Sequence, residues 1–297
     1  MADGERLTPL SVITFSRPLA VLAAERLGFF REAGLEVHYT ITRGSVEQIR
    51  GLLAGRFDVA HTAADNVMAY NDREAAGLRV VWVGDLGLGQ KLFVQPEIPD
   101  YASLRGAQLG VDALDTGYAF VLRKMLSLHG LEPDAYQLVS VGGTRERFQA
   151  LREKTVAGGL LSAPYDTAAE DAGFRLLDPA SRYFPNYPGL TVAVTEGWLS
   201  QHKELLQRYL AALRRGMAYG ADPAHRPELV RFLAADQGVD EEAALRRYEA
   251  ERAVQSRVLP SLAEVLPALQ GVRTLRNEMT GVHRQVEESF DTSAWPQ

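Results

Sequence analysis

The chain reads as an α/β protein: a two-lobed clamp with a helical C-terminal extension. Three observations predict this. Short apolar, β-branched runs alternate with segments of helical periodicity from Leu10 to Val83. A glycine-rich stretch, Gly84-Asp85-Leu86-Gly87-Leu88-Gly89, interrupts the alternation, which then restarts. Beyond Trp198 the strands stop and only helical patterns remain.

Leu10 to Phe15 predicts the first strand, and Pro18 suits the first turn of the helix after it, where a missing N–H costs nothing. Leu19, Leu22, Ala23 and Leu27 recur at helical spacing up to Gly28. Leu35, Val37, Tyr39 and Ile41 alternate with polar residues, as in a strand with one wetter face. Ser45-Val46-Glu47-Gln48 has the capping-box pattern, and Gly55 closes the helix it opens. Phe57 to Ala63 predicts a third strand, Asp65 a cap for a helix to Ala76, and Leu78 to Val83 a fourth strand. Repeated β-α units imply parallel pairing with right-handed crossovers.

The second lobe repeats the pattern. Strands are expected at Leu92 to Val94, Gln108 to Val111, Gln137 to Val141 and Val156 to Leu161. Helices are expected after Asp115-Thr116-Gly117, Gly142-Gly143-Thr144 and Ser162-Ala163-Pro164-Tyr165. Leu190 to Val194 carries the chain back. The division is 1–86 with 192–297 as one lobe and 87–191 as the other. The apolar faces around Leu206, Leu210, Leu213, Leu229, Leu233, Leu266 and Leu269 belong to helices packed back on the first lobe.

Composition bounds the chemistry. The 297 residues suffice for two lobes. A net charge of −6 with no long basic run argues against nucleic acid as a partner. The absence of cysteine excludes disulfides, thiolate metal sites and cysteine nucleophiles. His38, His129, His202, His225 and His283 are scattered, so neither a metal nor another cofactor is expected. Gly84-x-x-Gly87-x-Gly89 lacks the full dinucleotide spacing. No run is long and apolar enough to span a membrane. Met1 to Arg6 shows no basic stretch leading into an apolar one. The expected location is therefore cytoplasmic, or periplasmic or extracellular if a signal has been removed.

In open α/β sheets ligands meet the C-terminal ends of strands and the N-termini of helices. The candidate residues follow from that rule. Ser16 either caps the first helix or, with Arg17, seats an anion; Arg17 is otherwise a solvated charge. His61, at a strand end, is a pocket-wall histidine, a ligand contact or a proton shuttle. Thr62 and Asp65 follow it, with Asp65 a cap or a carboxylate facing an amine or a ring N–H. Asp115, Thr116 and Gly117 open one helix of the second lobe, and Gly143 and Thr144 another. Ser162 and Tyr165 close the cleft.

The segment Ala24-Glu25-Arg26-Leu27-Gly28-Phe29-Phe30-Arg31-Glu32-Ala33-Gly34-Leu35-Glu36-Val37 resembles the opening of the type 2 periplasmic binding proteins. The matching branch holds sulfonate, taurine, nitrate and thiamine-pyrimidine-precursor binding proteins. Leu53-Ala54-Gly55-Arg56-Phe57-Asp58-Val59-Ala60 and Ser103 to Val111 are similar to two further family segments. Val156-Ala157-Gly158-Gly159 stands where the family has Val-Asp-Ala-Ala. The resemblance implies a small anionic or heteroaromatic ligand held between the lobes, hinge closure, and an ABC permease as partner. It implies ligand contact at the helix opening formed by Asp115, Thr116 and Gly117. The resemblance extends to enzymes on the same fold, with decarboxylase, desulfinase and pyrimidine-precursor synthase types as candidates, and the synthase and desulfinase branches place a histidine near the position of His61. His61 as acid/base is therefore the alternative reading, and a ligand sensor a third.

Overall fold

The computed structural model describes residues 6–255 and 257–296. The first five residues, read above for an export signal, lie outside them. The chain runs β1 (Thr8–Thr14), α1 (Leu19–Arg26), α2 (Phe29–Glu32), β2 (Leu35–Ile41), α3 (Ser45–Leu53), β3 (Val59–His61), α4 (Ala64–Glu74) and β4 (Leu78–Val83). A two-residue strand, β5 (Asp85–Leu86), precedes β6 (Lys91–Val94), β7 (Gln108–Val111), α5 (Gly117–Leu128), β8 (Gln137–Ser140), α6 (Thr144–Arg152), β9 (Gly158–Leu161), α7 (Tyr165–Asp171) and β10 (Arg175–Pro179). The rest is β11 (Thr191–Thr195), α8 (Glu196–Ala221), α9 (Arg226–Gln237), α10 (Glu241–Val254), β12 (Arg257–Val258) and α11 (Leu262–Thr280).

Two five-stranded sheets result, ordered β2-β1-β3-β11-β4 and β10-β6-β9-β7-β8. In the first, β1 lies parallel to β2 and β3. The fourth strand does not pair with the third, as simple β-α repetition had implied. The returning β11 enters between them, antiparallel to both. Val192, Ala193 and Val194 are fully buried, so that strand needs cover on both faces. In the second sheet β9 sits centrally, parallel to β7 and antiparallel to β6. Its glycines answer a packing need: a Cβ on Gly158 would lie 2.8 Å from the Phe93 carbonyl, and one on Gly159 2.9 Å from that of Gly110. Strand β10 has no sequence precursor above, and β5 pairs with the late β12.

The long α8 packs along α1, and the approach is set at Gly216, where a Cβ would stand 2.2 Å from the Ala20 carbonyl. Backbone cannot yield as a side-chain tip can. Gly216→Ala is expected to cost about 1–3 kcal/mol by overpacking, read as a lowered urea midpoint. An unchanged midpoint would show that the helices slide freely.

Local chemistry differs from expectation at two helix starts. Ser45 is the first residue of α3, not its cap: Gly44 holds the cap position, and Glu47 turns back to accept from the Arg43 N–H at 2.8 Å. Asp65 does not cap α4. It is buried and accepts from Arg276 of α11 at 3.1 Å. α11 packs on both α4 and α5, so it touches helices flanking both sheets. Its Arg276 also donates to the Asp115 carbonyl at 3.3 Å, just before α5. No helix among the described residues is long and apolar enough to cross a membrane.

Candidate functional site

Between the sheets lie two joined chambers of about 280 and 240 Å³. Phe15, Ser16, Ala63, Gln90, Tyr118 and Ser162 line both. The walls come from the loops after β1 and β3, the glycine-rich segment before β6, and the N-terminal ends of α5 and α6. Their rims meet: the space beside Gly143 is closed by the Arg43 carbonyl, 3.6 Å from where a Cβ would stand.

Arg147 dominates the second chamber. It is 4% exposed and donates to the carbonyls of Leu160 (2.8 Å) and Gly142 (3.0 Å) and to the Thr144 hydroxyl (2.9 Å). Every partner is neutral, and among the described residues no carboxylate comes within ion-pair distance. Burial pulls the guanidinium below its ordinary pKa, against the opposing pull of the Asp112 and Glu146 carboxylates. A buried cation without a hydrogen-bonded counter-ion is costly, and an incoming anion relieves that cost. Gly143, Thr144 and Ser162 line the same space, and the Thr144 and Ser162 hydroxyls lie 3.5 Å apart.

His61 ends β3 on the wall of the first chamber. Its Nε2 lies 2.7 Å from the Tyr209 hydroxyl, which lies 2.9 Å from that of Tyr39. Phe30 stacks on Tyr209. The other ring nitrogen, Nδ1, is buried without a partner. Desolvation pushes the His61 pKa down to about 3, so the imidazole is neutral near pH 7. A neutral ring offers a hydrogen bond to a ligand. Its conjugate acid is too scarce near neutrality for an efficient proton shuttle.

The first chamber has an acidic end. Asp85 accepts from the Leu190 N–H at 2.5 Å and from Gln255 at 2.6 Å. Glu251 accepts from the Leu19 N–H at 2.8 Å, so the start of α1 is capped from α10 rather than by Ser16. Burial raises the pKa of both carboxyls.

Eight of the residues expected at the site line these chambers: Ser16, His61, Thr62, Thr116, Gly117, Gly143, Thr144 and Ser162. Four do not. Arg17 pairs with Glu25 and Asp236, which draws it along α1 and away from the cleft. Asp65 is taken by Arg276, although burial outweighs that attraction and lifts its pKa to about 6. Asp115 pairs with Arg73 on an outer groove. Tyr165 packs against Phe148, with ring centroids 5.7 Å apart. Gly117 matters for closeness: a Cβ there would stand 2.6 Å from that of Asp65.

Arg147, Gln90, Tyr118, Asp85 and Glu251 escaped the sequence reading. Arg147 carried a signal, since it falls at i, i+3, i+4 spacing with Ala150 and Leu151 on the buried face of α6. Glu251 sits on the charged α10, and only the inward side of that helix reaches the chamber. Among the described residues no group of three or more His, Asp or Glu could hold a metal ion.

Comparison with known proteins agrees with this architecture. The chain is 28% identical over 243 residues to the bicarbonate transport ATP-binding protein CmpC of a Synechocystis species, covering 74% of this chain and 36% of that protein. It thus spans little more than a third of that relative's length. The alkanesulfonate-binding protein SsuA of Xanthomonas axonopodis, solved with MOPS bound, superposes with a TM-score of 0.79 at 16% identity, covering 96% of this chain and 98% of that one. The nitrate-binding protein NrtA of Synechocystis superposes with a TM-score of 0.77 at 11% identity, covering 97% and 87%. At such identities the likeness is one of fold. The family model described as NMT1/THI5 like matches residues 18–225, from the first turn of α1 to the end of α8 and just beyond, and the chain belongs to that family.

Proposed function

We propose that this chain is the substrate-binding component of an ABC-type importer, working on the outer face of the membrane and presenting a small anion to a permease. The observation that carries the reading is Arg147, a buried cation with only neutral hydrogen-bond partners, lining a chamber between two sheets. The names of the similar proteins support the class, since SsuA binds alkanesulfonates, NrtA nitrate, and CmpC is named for bicarbonate transport. The two walls belong to different sheets, so a ligand touching both favours the state in which they are close.

Thermal unfolding with alkanesulfonates, nitrate and bicarbonate tests this. A true ligand at a hundredfold excess over its Kd stabilises by about 2.7 kcal/mol, visible as a raised Tm. Calorimetry should then give one site per chain. If none of these anions shifts the unfolding, the anion-binding reading fails.

A further inference from the structure

Tyr209 is fully buried, and its hydroxyl meets two partners, His61 Nε2 at 2.7 Å and the Tyr39 hydroxyl at 2.9 Å. A hydroxyl carries one proton, so this chain runs in one of two directions. In the first, Tyr39 donates to Tyr209 and Tyr209 donates to His61 Nε2. The proton of the neutral ring then sits on Nδ1. In the second, His61 Nε2 donates to Tyr209 and Tyr209 donates to Tyr39. Nδ1 is then a bare lone pair. His61 is 4% exposed, lines the first chamber, and has its Nδ1 buried without a partner. The direction of the chain therefore decides what this wall offers a ligand.

No charge at the ring makes the choice, since burial alone acts on the His61 pKa. The far end makes it. Tyr39 lines neither chamber, and among the described residues its hydroxyl meets no protein group but Tyr209. Run toward Tyr39, the chain ends on an O–H donor with no protein acceptor, and it turns a lone pair toward any anion in the chamber. Run toward His61, the donor left over is Nδ1–H, which a ligand oxygen can answer. Charge favours the same direction. The Arg17 guanidinium acts on Tyr39, even with its terminal nitrogens held by Glu25 and Asp236. A cation draws the hydroxyl oxygen and turns its proton away, leaving Tyr209 to accept it. The rings are pinned, with Phe30 stacked on Tyr209 at 5.5 Å between centroids and Tyr39 edge-on to His61 at 6.0 Å.

We propose that Tyr209 fixes His61 as the Nδ1–H tautomer, and that this N–H donates to an acceptor oxygen of the ligand. Tyr209 is then a positioning residue, acting through the imidazole from the side away from the chamber. A donor there favours a ligand that presents oxygen and penalises one that presents N–H. The ligand contact rests on the binding reading above, whereas the tautomer rests on the geometry alone.

Long-range proton–nitrogen correlation spectra of the labelled, ligand-free protein read the tautomer directly. His61→Gln identifies the His61 signals among those of the six histidines. The unmodified chain should show a protonated Nδ1 and a bare Nε2. Tyr39→Phe should keep that pattern, because Tyr209 still donates to Nε2, whereas a chain running the other way would lose its end and change. Tyr209→Phe keeps the ring on Phe30, removes the donor, and should give a mixture of tautomers. A proton on Nε2 in the unmodified chain overturns the proposal, as does an unaltered pattern in Tyr209→Phe. Calorimetry with methanesulfonate, nitrate and bicarbonate then tests the contact. An anion that binds the unmodified chain should bind Tyr209→Phe about three- to tenfold more weakly, the scale of one hydrogen bond. Equal affinity overturns the ligand contact. Binding by none of the three anions overturns the binding reading and the contact together, while the spectra still decide the tautomer.

Discussion

Arg147→Gln is expected to cut anion affinity by about 2–4 kcal/mol, roughly 30- to 1,000-fold, the usual cost of removing one member of a buried charge pair. Without ligand the effect on folding should run the other way or vanish. The side chain makes three hydrogen bonds to neutral groups, each worth about 1 kcal/mol net. Against them stands a buried charge with no counter-ion within ion-pair distance, whose desolvation costs several kcal/mol. The second is at least as large, so the urea midpoint of the ligand-free variant should be unchanged or raised. Arg147→Lys should fall between the two in affinity, keeping the charge but losing the planar fork. Titration calorimetry and urea unfolding on the same samples give both signs. Wild-type affinity in the glutamine variant would refute the assignment.

Asp72→Asn should cost about 3–5 kcal/mol of stability, the largest expected loss away from the cleft. Asp72 is held by Arg273 at 2.8 and 2.9 Å and by Arg276 at 3.0 Å. Arg273 is fully buried, and its other contact is the Ser289 hydroxyl at 3.4 Å. Loss of the carboxylate strands this guanidinium, whereas Arg276 keeps Asp65. The double replacement Asp72→Leu with Arg273→Met should cost less than the single change, because it removes the stranded charge with its partner. Urea unfolding with an unaltered m-value checks both. A single substitution as mild as a surface change would show that water reaches Arg273.

The contrast between these residues marks what could be read from the chain. Strands with clean apolar patterning were legible to the residue: Leu35 to Ile41, Leu78 to Val83 and Gln108 to Val111 lie where alternation or burial predicted. Strand β10, with exposed Arg175 and Leu176 and a terminal proline, is an edge whose pairing depends on β6 rather than on its own pattern. The cleft was legible at helix starts, where Gly143 and Thr144 show the local grammar of a turn into a helix. It was illegible where a partner is remote. Asp65 reads locally as a cap, yet its partner lies 211 positions away. Glu251 finds Leu19 from 232 positions away. Charged side chains follow the field of the folded molecule, which no short window of sequence contains.

The helix α11, seated against both α4 and α5, sets the geometry of any opening. A third contact beside the two crossing segments leaves few axes about which one sheet can turn without tearing Arg276 from Asp65 or from the Asp115 carbonyl. The axes that remain run near α11. Displacement then grows with distance from it, so the two rims separate most where they lie farthest from that helix.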